Sequence, residues 1–282
     1  MPGMITTRFP RGFPAPGNRS RVDTRPAFRV PWAILAVLLA FALFSCHKPG
    51  LTPPQTRRDV SITTADGVSL AATLYPAGAG APGLVLVHAL GSTRQAWDHF
   101  AQKAQQAGYS VIAFDMRGHG QSITQNGSEI AYRKFKTKDW LGALNDIDAA
   151  RTFLINSGAD AKNTVIVGAS IGANLALNYA VKHIDVPAIV MISPGLDYKG
   201  VTTRAKLVEL GERPVLLMTS TGDSYSAASC STLKGYAPGY CELREYAGTA
   251  HGTDLVDASP TALEQIFVWL KPIIGPQAKN GD

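Results

Sequence analysis

One short stretch in the middle of the chain limits the folds available to it. Residues 164–167 are apolar or β-branched and predict a buried strand. They lead into Gly168-Ala169-Ser170-Ile171-Gly172, which fits the pattern G-x-S-x-G, and residues 174–180 continue with helical spacing. A strand, a tight turn and a helix in this order are the context of a nucleophile elbow. The alternative is a turn of small residues that only joins a strand to a helix.

The central serine of such a turn has an unusual backbone conformation that leaves its hydroxyl exposed. Glycines on both sides of Ser170 remove the Cβ atoms that would otherwise clash in the turn. A serine hydroxyl is a poor nucleophile at neutral pH and needs a neighbouring base. We therefore expect a histidine, and a carboxylate that orients it, elsewhere in the sequence.

Strand-like and helix-like segments alternate along the rest of the chain. Such alternation predicts βαβ units, a mostly parallel sheet and helices on both faces, hence an α/β fold. The first two strands flank Ala65-Asp66-Gly67, a signal for an antiparallel hairpin. The predicted strands are 59–64, 68–75, 84–88, 111–115, 164–167, 188–193, 214–219 and 242–246. The predicted helices are 93–107, 140–155, 174–180, 199–210 and 261–270.

Three polar residues follow predicted strands at the edge where the loops of a parallel sheet form active sites. They are Ser170, Asp223 and His251, in the chain order Ser, Asp, His. Asp197 follows the strand 188–193 and is an alternative acid, but Asp223 follows its own strand more closely.

These motifs together resemble the α/β-hydrolases, in particular the compact dienelactone-hydrolase-like and esterase-like members. The resemblance covers about residues 59–274. Its motifs are His88-Ala89-Leu90-Gly91, Asp115-Met116-Arg117-Gly118-His119-Gly120, the elbow, Gly222-Asp223 and Ala250-His251-Gly252. The implied fold is an α/β-hydrolase fold. Because only about twenty residues (196–213) separate two late strands, we expect little or no cap domain.

The resemblance implies a serine hydrolase that cleaves an ester, thioester or lactone through an acyl-enzyme. His251 would accept the Ser170 proton, and Asp223 would orient the imidazole. The backbone N–H groups of Leu90 and Ile171 would form the oxyanion hole. The substrate would be a small-molecule or lipid-like acyl compound, with no cofactor and no metal. A non-catalytic envelope binding protein, a serine peptidase and an acyltransferase remain alternatives on the same fold.

Other polar residues of these motifs have structural interpretations. We expect His88 and His119 to bond the backbone of tight turns, and Asp115 and Arg117 to brace one of them. The basic residues at 133–138 predict a solvated loop, and contact with an anionic substrate or with lipid headgroups is the alternative.

The charge composition limits the classes of binding partner that we expect for this protein. The net charge is +6, but residues 1–45 hold six arginines and one aspartate and carry +5, which leaves +1 for the remainder. A nearly neutral body does not favour nucleic-acid binding. The oligomeric state is not predictable from the sequence.

The N-terminal 45 residues predict a lipoprotein-type signal peptide. Their arginines precede an apolar run at 30–44 that is short for a membrane span. Leu43-Phe44-Ser45-Cys46 then resembles the lipobox of bacterial lipoproteins, which implies lipidation of Cys46. An uncleaved signal anchor is the alternative. Both predict an exported protein of the cell envelope, held at the membrane through its N-terminus, with a tether at 46–58, a catalytic domain at 59–275 and a tail at 276–282.

Two further cysteines, Cys230 and Cys241, lie between Asp223 and His251. With Cys46 lipidated they leave an even count in an oxidising compartment, which predicts a disulfide between them. The alternative is that both are free and buried.

Overall fold

The structure is a computed structural model that describes residues 56–276. The predicted signal peptide, Cys46, the tether up to residue 55 and the tail after residue 276 lie outside the described residues. The first described strand begins at Arg58, one residue before the predicted domain boundary.

Within residues 56–276, ten strands form one sheet. They are β1 Arg58–Thr63, β2 Val68–Tyr75, β3 Pro82–Val87, β4 Ser110–Phe114, β5 Thr124–Gln125, β6 Ser128–Glu129, β7 Asp160–Ala169, β8 Ile189–Ile192, β11 Val215–Ser220 and β12 Cys241–Tyr246. Their order is β12-β11-β8-β7-β3-β4-β2-β5-β6, with β1 paired to β2. The run from β12 to β4 is parallel, whereas β2 is antiparallel to β1, β4 and β5. This confirms the mostly parallel sheet with an N-terminal antiparallel hairpin. Two further strands, β9 Asp197–Tyr198 and β10 Val201–Thr202, pair only with each other.

The helices in the described residues are α1 Asp98–Gln106, α2 Thr137–Gly142, α3 Leu144–Asn156, α4 Ile171–Lys182, α5 Arg204–Leu210, α6 Ser224–Tyr236, α7 Thr253–Ala258 and α8 Pro260–Ile274. Six of them, α1 to α6, lie between strands, and α7 and α8 follow β12. Single 3₁₀ turns lie at Arg94–Trp97 and Tyr132–Lys134. None of the helices in the described part of the chain combines the length and the apolar character needed to cross a bilayer.

Two apolar clusters cover the two faces of the sheet, because successive strand side chains point to opposite faces. In β3, Val85 and Val87 pack with one cluster, and Leu84 and Leu86 with the other. Helices α3, α4, α5 and α6 contribute to the first cluster, and α1, α7 and α8 to the second. This explains why the inner strands are apolar at nearly every position.

The predicted helix at 199–210 is wrong in its first part. Lys199 and Gly200 have φ values of 58° and 82° and form the turn of the β9–β10 hairpin. The Asp197 carboxylate accepts a 2.7 Å hydrogen bond from the Gly200 N–H, which stabilises the turn. Helix α5 therefore begins only at Arg204. Between β8 and α5 the described chain forms only this small hairpin.

The predicted disulfide is also wrong, since Cys230 and Cys241 are both free and buried. Cys230 lies on α6 and Cys241 begins β12, and both belong to the apolar cluster beneath α6. They pack there as small apolar side chains, and burial raises the pKa of both thiols. The even cysteine count carried no information on whether the two side chains face each other.

Candidate active site

Ser170 lies in the sharp turn between β7 and α4. Its φ of 55° and ψ of −123° are unusual for a residue with a side chain, and only 5% of the residue is exposed. A Cβ at Gly168 would lie 2.2 Å from the Gly172 carbonyl oxygen, and one at Gly172 would lie 2.4 Å from that of Val87. The turn therefore requires glycine at both flanking positions, as the sequence motif predicts.

Asp223 and His251 are in direct contact. The Asp223 Oδ2 atom lies 2.6 Å from the His251 Nδ1 atom, and the two side chains are 13% and 40% exposed. Asp223 follows β11, and His251 lies in the loop between β12 and α7. The Gly222 N–H donates a 2.7 Å hydrogen bond to the Gly248 carbonyl, which ties the two loops together. This geometry leaves the second imidazole nitrogen, Nε2, available for another partner.

A cavity of about 410 Å³ contains most of the residues that the sequence motifs single out. Neighbouring strands supply its walls, because the loops after β3, β7 and β8 leave the same edge of the sheet. The residues that line it are Ala89, Leu90, Ser170, Ile171, Asp197, Tyr198, Lys199 and His251. Ser170 and His251 thus share one cavity, although 81 residues separate them in the sequence.

Both predicted oxyanion residues line this cavity. Ile171 is the first residue of α4, so its backbone N–H has no acceptor within the helix. Leu90 lies in the loop after β3, and 41% of the residue is exposed.

Asp197 lies in the cavity wall but does not contact His251. Its carboxylate accepts the Gly200 N–H in the β9–β10 turn. Among the two candidate acids, the contact with the imidazole belongs to Asp223.

His88 joins the loop after β3 to the loop after β4. It is fully buried; its Nε2 accepts a 2.9 Å hydrogen bond from the Met116 N–H, and its Nδ1 is 2.8 Å from the Ala89 carbonyl. Burial, together with the nearby His119, lowers the pKa of His88 to about 4. The neutral imidazole can therefore accept at one nitrogen and donate at the other, and it holds the loop that contains Leu90.

The turn after β4 is braced by two buried ion pairs. The Arg94 guanidinium lies 2.6 Å from Asp115. The Arg117 guanidinium bonds both Asp146, at 2.8 Å, and Asp66, at 2.7 Å. The side chains of Arg94, Arg117, Asp115 and Asp146 are each less than a tenth exposed. Removing one partner of either pair would therefore leave a buried charge unpaired.

A second, larger cavity of about 550 Å³ lies beside Arg117 and contains none of the residues Ser170, Asp223 and His251. Its charged lining is mixed, and the Arg117 donors that reach it are already paired with carboxylates. The basic side chains of the adjoining segment, Arg133, Lys134, Lys136 and Lys138, are exposed. Of these two cavities, the smaller one, which Ser170 and His251 line, is therefore the candidate active site.

Sequence reasoning missed two residues of the site, Tyr198 and Ser193. Tyr198 lines the cavity, and Ser193, at the end of β8, is fully buried with a φ of 50°. Ser193 is the last residue of the predicted strand 188–193, and Tyr198 comes shortly after it, at the edge of the sheet where the active site was expected. Their position at the carboxyl end of a strand could have identified them as site residues. The segment directly after residue 198 was instead predicted to be a helix.

Comparison with known proteins agrees with the observed fold. The sequence profile of Hydrolase_4, described as serine aminopeptidase S33, matches residues 82–222, which is half of the chain and includes the elbow. Epoxide hydrolase A of Mycobacterium tuberculosis is 31% identical over 115 residues, 40% of this chain and 32% of that protein. The chain covers 32% to 47% of the length of the curated relatives that it matches.

Two solved structures show the similarity of fold. The structure of DcsB in complex with its substrate analogue is 15% identical, with a TM-score of 0.67 over 78% of this chain and 100% of that one. The Pyrococcus furiosus esterase Pf2001 is 18% identical, with a TM-score of 0.62 over 78% of this chain and 92% of that one.

Proposed function

The chain belongs to the serine aminopeptidase S33 (Hydrolase_4) family and is an α/β-hydrolase, and we propose that it is a serine hydrolase that cleaves carboxylic esters. Ser170 is the nucleophile, His251 the general base and Asp223 the residue that orients the imidazole. The backbone N–H groups of Leu90 and Ile171 bind the oxyanion. The observation that supports this most directly is the 2.6 Å contact between Asp223 and His251, with His251 in the same cavity as Ser170.

Acylation follows from these positions. His251 Nε2 takes the hydroxyl proton of Ser170 as the serine oxygen attacks the ester carbon. The carbonyl electron pair moves onto its oxygen, which the two N–H groups stabilise. Asp223 accepts the hydrogen bond from Nδ1 and stabilises the imidazolium. The leaving oxygen then takes the proton from Nε2 as its bond to carbon breaks. Water repeats these steps on the acyl-enzyme, and the acid is released.

The cavity favours a short acyl group. Its volume of about 410 Å³ lies at the small end of the range for ligand pockets. Ala89, Leu90 and Ile171 provide apolar wall beside Ser170. The sheet edge above it holds the β9–β10 hairpin rather than a cap domain, so the alcohol part of the ester can extend into solvent.

Two measurements test the proposal. A fluorophosphonate probe should label the purified protein at Ser170, and Ser170→Ala should remove both the label and the hydrolysis of 4-nitrophenyl esters. The panel of esters should run from acetate to laurate, with the highest kcat/KM at the short end. Failure of the wild-type protein to label would favour the alternative of a non-catalytic binding protein. Label without ester hydrolysis, and with cleavage of aminoacyl anilides, would instead indicate a peptidase.

A further inference from the structure

Tyr198 faces the reacting centre, and the proposed mechanism gives it no part. It is the second residue of β9 and lines the cavity with Ser170 and His251. Its ring stands edge-on to the His251 imidazole, with an interplanar angle of 88° and 6.4 Å between centroids. Its hydroxyl lies 3.1 Å from the Ser226 Oγ and 3.5 Å from the Ser193 carbonyl oxygen.

The hairpin that holds Tyr198 is fixed by hydrogen bonds from two helices. On α4, the amide of Asn174 accepts the Gly195 N–H at 3.1 Å and donates to the Val201 carbonyl at 2.7 Å. On α6, the Tyr225 hydroxyl accepts the Asp197 N–H at 3.0 Å and donates to the Asp197 carbonyl at 2.9 Å. The phenol is therefore held in place before substrate binds, which lowers the entropic cost of using it.

Glycine at position 195 allows the aromatic packing around the hairpin. A Cβ there would lie 2.7 Å from the rings of both Tyr198 and Tyr225. The two rings meet edge to face at 5.5 Å. Packing thus restricts the Tyr198 ring, and the hydroxyl position is set by Ser226.

The Tyr198 phenol is a hydrogen-bond donor at the pH of the reaction. Burial raises its pKa, and hydrogen bonding to the hydroxyls of Ser226 and Ser170 opposes this only in part. Ser226 can donate either to the Ser193 carbonyl, 3.2 Å away, or to the Tyr198 oxygen. When Ser226 donates to Tyr198, the phenol proton can exchange its long, 3.5 Å hydrogen bond to the Ser193 carbonyl for an acceptor in the cavity.

The strand order places the loops that carry Tyr198 and Leu90 on opposite sides of Ser170. Strand β8, which precedes Tyr198, lies between β7 with Ser170 and β11 with Asp223. The oxyanion residue Leu90 follows β3, on the other side of β7. A tetrahedral intermediate with its oxyanion toward Leu90 therefore has its leaving oxygen on the side of His251 and Tyr198.

We propose that Tyr198 is a further catalytic residue, which donates a hydrogen bond to the leaving oxygen as the tetrahedral intermediate collapses. The inference rests on the proposed ester hydrolysis. As the carbon–oxygen bond breaks, its electron pair stays on the leaving oxygen, the oxyanion re-forms the carbonyl, and His251 Nε2 transfers its proton to the leaving oxygen. Tyr198 keeps its own proton and stabilises the negative charge that develops before proton transfer is complete.

The test compares leaving groups in Tyr198→Phe, which removes the hydroxyl and keeps the ring. For ethyl and benzyl acetate, whose alkoxides are poor leaving groups, kcat/KM should fall by roughly 10- to 100-fold. For 4-nitrophenyl acetate, whose anion leaves without help, the fall should be less than about threefold. Ser226→Ala removes the group that positions the phenol and should show a smaller loss with the same dependence on leaving group.

Controls separate the possible outcomes. Tyr236→Phe, an exposed tyrosine of α6, should leave every ester unchanged. An equal loss for all leaving groups, or no loss with the alkyl esters, would overturn the part assigned to Tyr198 while ester hydrolysis by Ser170 stands. Absence of hydrolysis in the wild-type protein would overturn the proposed function itself.

Discussion

The Ser193 hydroxyl accepts a 3.0 Å hydrogen bond from the backbone N–H of Gly252, the residue after His251. Ser193 is fully buried at the end of β8, and its own N–H donates to the Met218 carbonyl at 2.7 Å. The loop that carries His251 is therefore tied to β8 by the Ser193 side chain, in addition to the Gly222–Gly248 hydrogen bond that joins it to the loop after β11.

Ser193→Ala should reduce kcat for short esters by roughly tenfold and lower stability by about 1–3 kcal/mol, because the Gly252 N–H loses its buried acceptor. Steady-state kinetics and urea denaturation measure the two effects. Ser193→Gly is the matched control: it also removes the hydroxyl but relieves the positive φ. Unchanged kcat in both variants would contradict a role for this hydrogen bond in holding His251.

Asp223→Asn should lower kcat by roughly 10³- to 10⁴-fold, because an asparagine amide cannot stabilise the imidazolium as a carboxylate does. Asp197→Asn should have a mild effect, since an amide oxygen can still accept the Gly200 N–H. Circular dichroism would show that both variants are folded. If Asp197→Asn were the more damaging change, the acid of the site would belong to the loop after β8.

Acid should destabilise the fold through His88. Its pKa is about 4 in the folded protein and about 6.5 in an unfolded chain. Between these values the unfolded chain binds more protons, so the free energy of unfolding falls as the pH falls, by about 2 kcal/mol from this group at pH 5. Burial also lowers the pKa of His119, so this group likewise reduces the free energy of unfolding as the pH falls. The Asp115 carboxylate opposes the lowering of the pKa at both imidazoles.

The measurement is urea denaturation at pH 7 and pH 5 for the wild-type protein and for His88→Gln. Glutamine can accept the Met116 N–H but does not titrate, so the difference between the two pH values should be smaller in the variant. Carboxylates contribute equally to both proteins and cancel in the comparison. An identical pH dependence would show that His88 does not contribute.

Export and lipid anchoring through Cys46 stay a prediction from the sequence. Intact-mass analysis of protein extracted from membranes should show an N-terminus at Cys46 with two or three acyl chains, enough for stable attachment. Cys46→Ser should move the protein from the membrane fraction to the soluble fraction. A mature N-terminus elsewhere, or an unmodified full-length chain, would contradict the lipoprotein assignment.

Local patterns in the sequence predicted most of the fold. The apolar runs of β3, β4, β7 and β11, and the helical spacing before and after them, set the alternation that produces a parallel sheet. The elbow was predictable because its glycines are required by contacts within a few residues or with the adjacent β3. The predicted helix 140–155 is interrupted at Ala143 and belongs to two helices, α2 and α3. The helical spacing of the apolar residues did not predict this break.

Spacing along the chain was enough to predict the α/β fold, the position of Ser170 in its turn and the chain order of Ser170, Asp223 and His251. The three-dimensional arrangement was needed to show that Asp223 rather than Asp197 contacts His251, and that Cys230 and Cys241 are unpaired. It alone brought Tyr198 beside Ser170. Each of these depends on the direction of side chains from different loops, and that direction is set by long-range packing of the hairpin and of α6 rather than by neighbouring residues.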